Sequence, residues 1–232
     1  MIPKIIHYIW VGGNEMPPLV KKCIESWSKF CPDYEIKRWD ETNLDINKYE
    51  FAKAAYENKK WAFFSDVHRF DILYQYGGIY LDVDVELISS LDNFLNLDFF
   101  TGFEYGDFIA PGLILGANKK NKICSDIINI YKNKNFNEKK LDTVCVLCTD
   151  YLKEKYDLIC NGETQSLINN IKIFSKEYFC PKNVHTGEIC ITSNTVCIHH
   201  YLASWVPKPT LLRKFIRFIK KKLKLMKKKL RG

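Results

Sequence analysis

The stretch that decides the fold is GGIYLDVDVEL, residues 77–87, in which apolar and acidic side chains alternate. Side chains of alternate residues lie on the same face of a β-strand. The pattern therefore predicts one continuous strand with an apolar face toward the core. Its other face carries Asp82, Asp84 and Glu86.

Paired carboxylates on such a face need a physical reason, because aspartate competes for backbone hydrogen bonds and is disfavoured in strands. Asp82 and Asp84 would lie ~7 Å apart along the strand and repel each other. A divalent cation that reaches both would offset the repulsion, and oxygen ligands of this kind suit Mg²⁺ or Mn²⁺. The residues alone leave a solvent-facing strand open as the alternative, but we favour the cation.

The segment before this strand, residues 61–78, predicts a helix of about four turns that ends at a glycine. Asp66 and Arg69 are three residues apart and share one helix face, and Ser65 precedes them. Because the glycine pair turns the chain directly into the acidic strand, these three side chains can converge on that strand's end. The alternative is an exposed helical ion pair, which contributes little stability.

The remaining patterns predict an α/β protein. Strands are predicted over 4–10, 34–40, 98–104, 111–118 and within 170–200, and helices over 17–30, 48–58, 122–131 and 139–153. This order of strands and helices predicts a sheet sandwiched by helices, which becomes mixed in its second half.

The length of 232 residues fits one domain, and we expect residues 1–206 to form it. No run of 18 apolar residues exists, so no spanning helix is expected. The first 13 residues lack the layout of a signal peptide. The nine cysteines are therefore expected to be reduced, buried thiols of a cytosolic protein. Cys145 and Cys148 form one CxxC pair, which alone does not predict a zinc site.

The positive charge is concentrated at one end of the chain. Residues 207–232 hold 12 of the 35 lysines and arginines and no acidic residue. The other residues carry 23 basic and 27 acidic side chains, a formal net charge of −4. A nucleic-acid-binding domain needs cations on its folded surface, so this distribution argues against nucleic acid as a partner.

The basic segment also has apolar residues at spacings of three and four, which predict a basic amphipathic helix. These residues are Leu212, Phe215, Ile216, Ile219, Leu223, Met226 and Leu230. Such a helix is suited to an anionic membrane surface. We therefore expect a cytoplasmic protein, peripheral on the inner face of the cell membrane. A solvated helix or a disordered tail is the alternative.

Three stretches carry a resemblance to a known family. SDVHRFDILYQYGGIYLDVDVE, residues 65–86, resembles the signature S-D-x-x-R followed by G-G-x-Y-x-D-x-D of the DXD glycosyltransferases of the family 32 type. IPKIIHYIWVGG, residues 2–13, resembles that family's first strand, and IHHYLASWVP, residues 198–207, resembles its closing segment. Between 118 and 188, where acceptor-binding parts would lie, no family pattern is recognisable.

The resemblance implies a GT-A fold, a nucleotide-sugar donor, Mn²⁺ or Mg²⁺ as cofactor, and retention of the sugar's anomeric configuration. By position, Asp84 is implied as the direct metal ligand, Asp82 as a contact to the ribose or to the metal through water, and His199 as the last metal ligand. His200 is the alternative to His199. Asp66 and Arg69 are implied to hold the sugar hydroxyls and the diphosphate. The implied donor pocket also includes Trp10 against the nucleobase, Ser65, Tyr80, and Ser204 with Trp205 over the diphosphate.

The resemblance further implies transfer of a hexose to a glycan or a lipid-linked acceptor in surface polysaccharide synthesis. We favour a UDP-sugar as donor, with GDP-mannose second. One rival is a haloacid-dehalogenase-type phosphatase with Asp82 as phosphoryl acceptor, but that family places its aspartate pair on the first strand. A non-catalytic sugar-nucleotide-binding module is the other rival, and the sequence leaves it open.

Overall fold

The computed structural model describes residues 1–104, 108–137 and 143–202, and these ranges hold nine β-strands and six α-helices. The strands are β1 (Ile5–Ile9), β2 (Glu35–Trp39), β3 (Gly78–Leu81), β4 (Val85–Leu87), β5 (Phe99–Gly102), β6 (Ile114–Ala117), β7 (Gln165–Leu167), β8 (Ile171–Phe174) and β9 (Cys197–His199). The helices are α1 (Pro18–Phe30), α2 (Glu50–Glu57), α3 (Trp61–Tyr76), α4 (Lys122–Lys132), α5 (Val144–Tyr156) and α6 (Lys176–Phe179).

Seven of the described strands form one mixed sheet in the order β2-β1-β3-β6-β5-β8-β7. The first three are parallel, β6 runs antiparallel to both β3 and β5, and β8 is parallel to β5. The parallel half is the part that the βαβ order predicts. The mixed α/β architecture predicted from the sequence is therefore confirmed.

The sheet is covered on both faces, because successive residues of its central strands enter different hydrophobic clusters. In β3, Tyr80 packs with the helices α2 to α5, whereas Ile79 and Leu81 pack with Trp27 of α1. Helix α3 is the most enclosed of the helices, with every residue from 63 to 73 buried. The polar side chains on α3 are therefore inside the protein, and its ion pair is not the exposed one that remained the alternative.

Two glycines turn α3 directly into β3. Gly77 and Gly78 have φ values of 67° and 107°, a region that side chains disfavour. A Cβ atom on Gly78 would also lie 2.7 Å from the carbonyl oxygen of Ile5, so the glycine allows β1 and β3 to approach. This turn fixes the position of the polar face of α3 relative to the two aspartates.

The predicted continuous strand over the acidic stretch is wrong. Strand β3 ends at Leu81, and residues 82–84 form a turn closed by a hydrogen bond from the Val85 N–H to the Asp82 carbonyl at 3.1 Å. Strand β4 then leaves the large sheet and pairs with β9 in a two-stranded sheet. The preference of aspartate for turns over strands accounts for the break.

Several predictions lie outside the described residues: the boundary between 206 and 207, the amphipathic helix, and the positions of Ser204 and Trp205. Residues Met1–Leu202 form one compact unit. Among the described helices, none has both the length and the apolar character that crossing a membrane requires. All nine cysteines are free, but the expectation that all are buried is wrong, since Cys190 is exposed.

A buried histidine ties the first two strands to the turn after α3. The Trp39 indole N–H donates to Nδ1 of His7 at 3.1 Å, and Nε2 of His7 lies 2.8 Å from the Gly77 carbonyl oxygen. Because Nδ1 accepts, the neutral ring must carry its proton on Nε2 and donate it to Gly77. Burial lowers the pKa of His7 to about 4, and burial does the same to the pKa of His68.

The depressed pKa values predict that the protein loses stability in mild acid. Between pH 6.5 and about 4 the unfolded chain binds a proton at each histidine and the folded chain does not. Replacing His7 by Gln should reduce the loss in unfolding free energy between pH 7.5 and pH 5 by about 2 kcal/mol. Urea unfolding at both pH values measures it, with the exposed His185→Gln as control. An unchanged pH dependence in His7→Gln would contradict the prediction.

Candidate active site

An arginine buried in the core organises the site. Arg69 is 2% exposed, and its guanidinium makes an ion pair with Asp66 at 2.9 Å. It also donates to the Ser65 hydroxyl at 2.7 Å and to the Pro111 carbonyl at 3.3 Å, and it lies over the Tyr80 ring. The prediction that Ser65, Asp66 and Arg69 converge at the end of the acidic stretch agrees with this geometry.

The carboxylate of Asp66 is enclosed with Arg69. Burial raises the pKa of Asp66 to about 7, although the guanidinium charge of Arg69 lowers it. The Ser65 hydroxyl donates to the Ala62 carbonyl, so its oxygen is oriented to accept from Arg69. These contacts hold the guanidinium in place before any ligand binds.

The aspartate turn presents Asp82 to the arginine side. Asp82 Oδ1 accepts a hydrogen bond from the Tyr80 hydroxyl at 3.0 Å and lies 3.8 Å from the Arg69 guanidinium. Its side chain is 33% exposed. Asp82 therefore links the buried cluster to the surface, and its second oxygen is available to a ligand.

Asp84 contacts the end of β9 and the residues that follow it. Its carboxylate accepts from the Leu202 N–H at 2.7 Å, and its own carbonyl accepts from the His200 N–H at 3.0 Å. Burial disfavours the charge on Asp84, but hydrogen bonds from His199 and Leu202 outweigh it and lower the pKa of this carboxyl. Asp84 is thus held as an anion.

The two neighbouring histidines have different partners. Nε2 of His199 lies 3.5 Å from Asp84 Oδ1, whereas Nε2 of His200 lies 2.7 Å from Glu86 Oε2. Glu86 is also paired with Lys22 at 2.8 Å. The geometry brings His199, and not His200, to the aspartate pair, so His199 remains our predicted metal ligand. Glu86 stabilises the β4–β9 junction instead.

Two carboxylate oxygens and one imidazole nitrogen, from Asp82, Asp84 and His199, lie within 4.8 Å of one another. Two ligand atoms ~2.1 Å from one ion are roughly 3.0 to 3.5 Å apart, which fits the 3.5 Å between His199 and Asp84. Oxygen-rich sets with few protein ligands suit Mn²⁺ or Mg²⁺ and leave positions for water and phosphate. The residues present therefore fit a divalent cation.

The predicted base-stacking residue lies at the end of β1. Trp10 is half-buried, and its indole N–H donates to the Asn14 carbonyl at 2.8 Å. Beyond it, Gly12 has a φ of 91°, and its N–H donates to Glu41. Ligands of α/β proteins bind outside the carboxyl ends of parallel strands, which is where Trp10 lies.

Sequence reasoning missed the residues that reach the site from other elements. A Cβ on Gly112 would lie 2.7 Å from Arg69 Nη1, so this glycine makes room for the guanidinium. Glu104 lies 3.3 Å from Nδ1 of His199. The sequence predicts the PG pair at 111–112 only as the start of a strand. Nothing in the local sequence marks Glu104, because its partner is 95 residues away.

Comparisons with known proteins point to one family. The model of the glycosyltransferase sugar-binding region containing the DXD motif matches residues 17–100. An uncharacterized glycosyltransferase of Acanthamoeba polyphaga mimivirus is 28% identical over 226 residues, which cover 93% of this chain and 88% of the relative. Inositol phosphoceramide mannosyltransferase 3 of Schizosaccharomyces pombe is 36% identical over 99 residues, which cover 41% of this chain but 28% of that protein.

The fold has a counterpart among solved structures. The PaToxG glycosyltransferase superposes with a TM-score of 0.51 at 18% identity, over 66% of this chain and 70% of that chain. At this identity the likeness shows the fold alone. It agrees with the GT-A-type arrangement expected from the sequence.

The space that Gly112 leaves for Arg69 gives a testable prediction. Gly112→Ala should displace the guanidinium and lower donor turnover at least tenfold, about 1.4 kcal/mol in transition-state stabilisation. Steady-state kinetics of Gly112→Ala, Arg69→Lys and the double variant measure it. Because the shorter lysine leaves room for the new methyl group, the two effects should be less than additive. Fully additive losses would mean that Gly112 acts independently of Arg69.

Proposed function

We propose that this chain is a DXD-containing glycosyltransferase that transfers a hexose from a nucleotide sugar to an acceptor in a reaction that depends on a divalent cation. The observation that carries the proposal is the convergence of Asp82, Asp84 and His199 beside the buried Arg69–Asp66 pair. Mn²⁺ or Mg²⁺ is the proposed cofactor, and the imidazole ligand favours Mn²⁺.

The proposed roles follow from where each side chain lies. Asp84 is held as an anion and is the principal cation ligand, while Asp82 and His199 complete the set from either side. A bound cation would supply positive charge to the leaving diphosphate. Arg69 adds a fixed positive charge and, with Asp66, positions the donor. The buried Arg69 does not reorganise when charge develops on the donor, which favours the transition state.

Trp10 is proposed to stack on the nucleobase at the end of β1. Base–aromatic stacking contributes about 1–3 kcal/mol, so Trp10→Ala should weaken nucleotide binding by that amount in calorimetry, and Trp10→Phe by less.

We also propose retention of the donor's anomeric configuration, which proton NMR of the product would test. The proposed role of Tyr80 is to orient Asp82, because its hydroxyl already donates a hydrogen bond to that carboxylate.

The proposed sugar and acceptor rest on relatives and on the sequence. Two matched proteins are named inositol phosphoceramide mannosyltransferases, each matched over only 28% of its length, and they support mannose as a candidate sugar. UDP-hexoses and GDP-mannose are therefore the donors to test first. A glycan or lipid-linked acceptor and a role in surface polysaccharide synthesis remain proposals.

The experiment that tests the proposed function is nucleotide release from a panel of UDP- and GDP-sugars, with and without Mn²⁺. Asp84→Asn should abolish cation-dependent release, at least a hundredfold loss, because the amide cannot supply the anionic ligand. Asp92→Asn, an exposed carboxylate paired with Lys4, is the matched control and should retain full activity. Release by Asp84→Asn with unchanged cation dependence would remove Asp84 from the proposed site, and absence of release with every donor would favour a binding module.

We further propose that residues 207–232 bind the anionic inner face of the cell membrane, with the rest of the protein cytoplasmic. Each cation near such a surface contributes about 1 kcal/mol, and the apolar residues would enter the acyl boundary. The full chain should therefore bind vesicles that contain anionic lipid at low salt, and residues 1–206 should not. Sedimentation with vesicles of neutral lipid is the control. Equal binding by both chains would rule out the segment as the anchor.

A further inference from the structure

One side chain of the proposed cation site also belongs to a second group of ligand atoms. Glutamate, cysteine and histidine atoms from Glu104, Cys180 and His199 lie within 4.8 Å of one another. They come from three parts of the chain: the loop after β5, the end of α6 and the end of β9. Neither the proposed transfer reaction nor the donor pocket uses Glu104 or Cys180.

The histidine ring separates the two groups of ligands. Its Nε2 faces Asp84 at 3.5 Å, and its Nδ1 faces Glu104 at 3.3 Å. Nδ1 is fully buried, and apart from this contact with Glu104 it forms no hydrogen bond of good geometry among the described residues. A buried nitrogen that makes no hydrogen bond is costly, so its orientation toward a glutamate and a thiol points to a ligand at that position.

The chemistry of this second group differs from that of the aspartate pair. Thiolate and imidazole are ligands that Zn²⁺ prefers, whereas carboxylate and water suit Mg²⁺ and Mn²⁺. Ligand atoms around a tetrahedral Zn²⁺ are ~3.3 to 3.7 Å apart. Nδ1 of His199 and Glu104 already match this separation at 3.3 Å, and the Cys180 thiol lies within 4.8 Å of both. Cys180 is buried and contacts the Tyr201 hydroxyl at 2.8 Å, while Glu104 is 22% exposed on its side chain and opens the group to solvent.

We infer that Glu104, Cys180 and Nδ1 of His199 form a site for Zn²⁺, and that Zn²⁺ bound there displaces the cation of the transfer reaction. The second part rests on the proposed function. Binding releases the thiol proton of Cys180 to water and leaves a thiolate ligand, and a proton on Nδ1 of His199 is likewise released to water, with no change of oxidation state.

The exclusion follows from the tautomers of one imidazole. A neutral ring has a single lone pair available to a metal and carries its proton on the other nitrogen. A cation on the aspartate side needs the lone pair on Nε2 of His199, and the Nδ1 proton is then directed at Glu104. Zn²⁺ needs the lone pair on Nδ1, and the Nε2 proton is then directed at Asp84. The two cations therefore compete without sharing a position.

Binding is tested first with Co²⁺ as a spectroscopic substitute for Zn²⁺, on the full chain kept reduced with a phosphine. Wild type and the control variant Cys190→Ser, which changes an exposed cysteine, should give the ultraviolet thiolate-to-cobalt charge-transfer band. Cys180→Ser should lose this band, and Glu104→Gln should bind Co²⁺ at least tenfold more weakly. Zn²⁺ should abolish the wild-type band. A band of equal intensity in Cys180→Ser would overturn the site.

Competition is tested by Zn²⁺ titration of Mn²⁺-dependent nucleotide release. Zn²⁺ should inhibit wild type and Cys190→Ser alike, and the inhibition constant should rise at least tenfold in Cys180→Ser, which retains its Mn²⁺-dependent activity. Equal inhibition of Cys180→Ser would mean that Zn²⁺ acts at the aspartates directly, which overturns the competition. If Cys180→Ser fails to fold, judged by its melting temperature, Cys180→Ala replaces it in both measurements.

Failure of this inference and failure of the proposed function give different results. A Cys180-dependent cobalt band in a chain that releases no nucleotide would support the zinc site and refute the transferase proposal. Nucleotide release without any Cys180-dependent band would refute the zinc site and support the transferase proposal.

Mn²⁺ binding, followed by electron paramagnetic resonance without donor, should weaken when one equivalent of Zn²⁺ is added, and unchanged Mn²⁺ binding would contradict the exclusion.

Discussion

The buried guanidinium of Arg69 is the constraint on which the site depends. A charge taken out of water is costly unless it is paired and its hydrogen-bond donors are satisfied. Arg69 meets this condition with Asp66, the Ser65 hydroxyl, the Ser65 and Pro111 carbonyls and the face of Tyr80. These partners come from α3, from β3 and from the loop before β6. Satisfying one side chain therefore fixes three segments relative to one another.

The break in the chain after Leu81 is the second constraint. If β3 had continued, Asp82 and Asp84 would both have stayed in the large sheet, away from β9. Instead β4 pairs with β9 and is held by two hydrogen bonds to α1. The Trp27 indole N–H donates to the Val85 carbonyl at 2.8 Å, and the Leu87 N–H donates to the Ser26 hydroxyl at 2.9 Å. This small sheet brings His199 to Asp84. The turn between the two sheets thus joins the arginine side of the site to the histidine side.

The sequence predicted the parts of this arrangement that are local. The alternation of apolar residues, the glycine pair and the S-D-x-x-R spacing identified α3, β3 and the polar residues between them, because these depend on neighbours a few residues apart. The sequence also predicted the GT-A-type architecture and identified the aspartate pair. It failed at the strand break, where a regular alternation gave no sign that the hydrogen-bonding partner changes from β6 to β9.

The residues that the sequence missed are those that depend on distant contacts. Gly112 matters only because Arg69, 43 positions earlier, comes within 2.7 Å of where its side chain would be. His7 reads as a strand residue, yet its partners are Trp39 and Gly77. The choice between His199 and His200 also depends on Glu86, because the Glu86 carboxylate is hydrogen-bonded to Nε2 of His200. Periodicity and propensity carry no information on such pairs, whereas a family signature carries it only for the residues inside its motif.

The balance of charge in the site explains why a cation and a nucleotide sugar would belong together. Asp66, Asp82 and Asp84 face one guanidinium and one imidazole, and Arg69 is already paired with Asp66. A diphosphate brought to this group meets more negative than positive charge, and such repulsion is strong where water is excluded. A divalent cation between Asp82, Asp84 and His199 would cancel the two aspartate charges on the side where the phosphates would lie. Under the proposed function, the acidic pair would bind an anionic donor only when a cation is present, and the cation would enter before the donor or together with it.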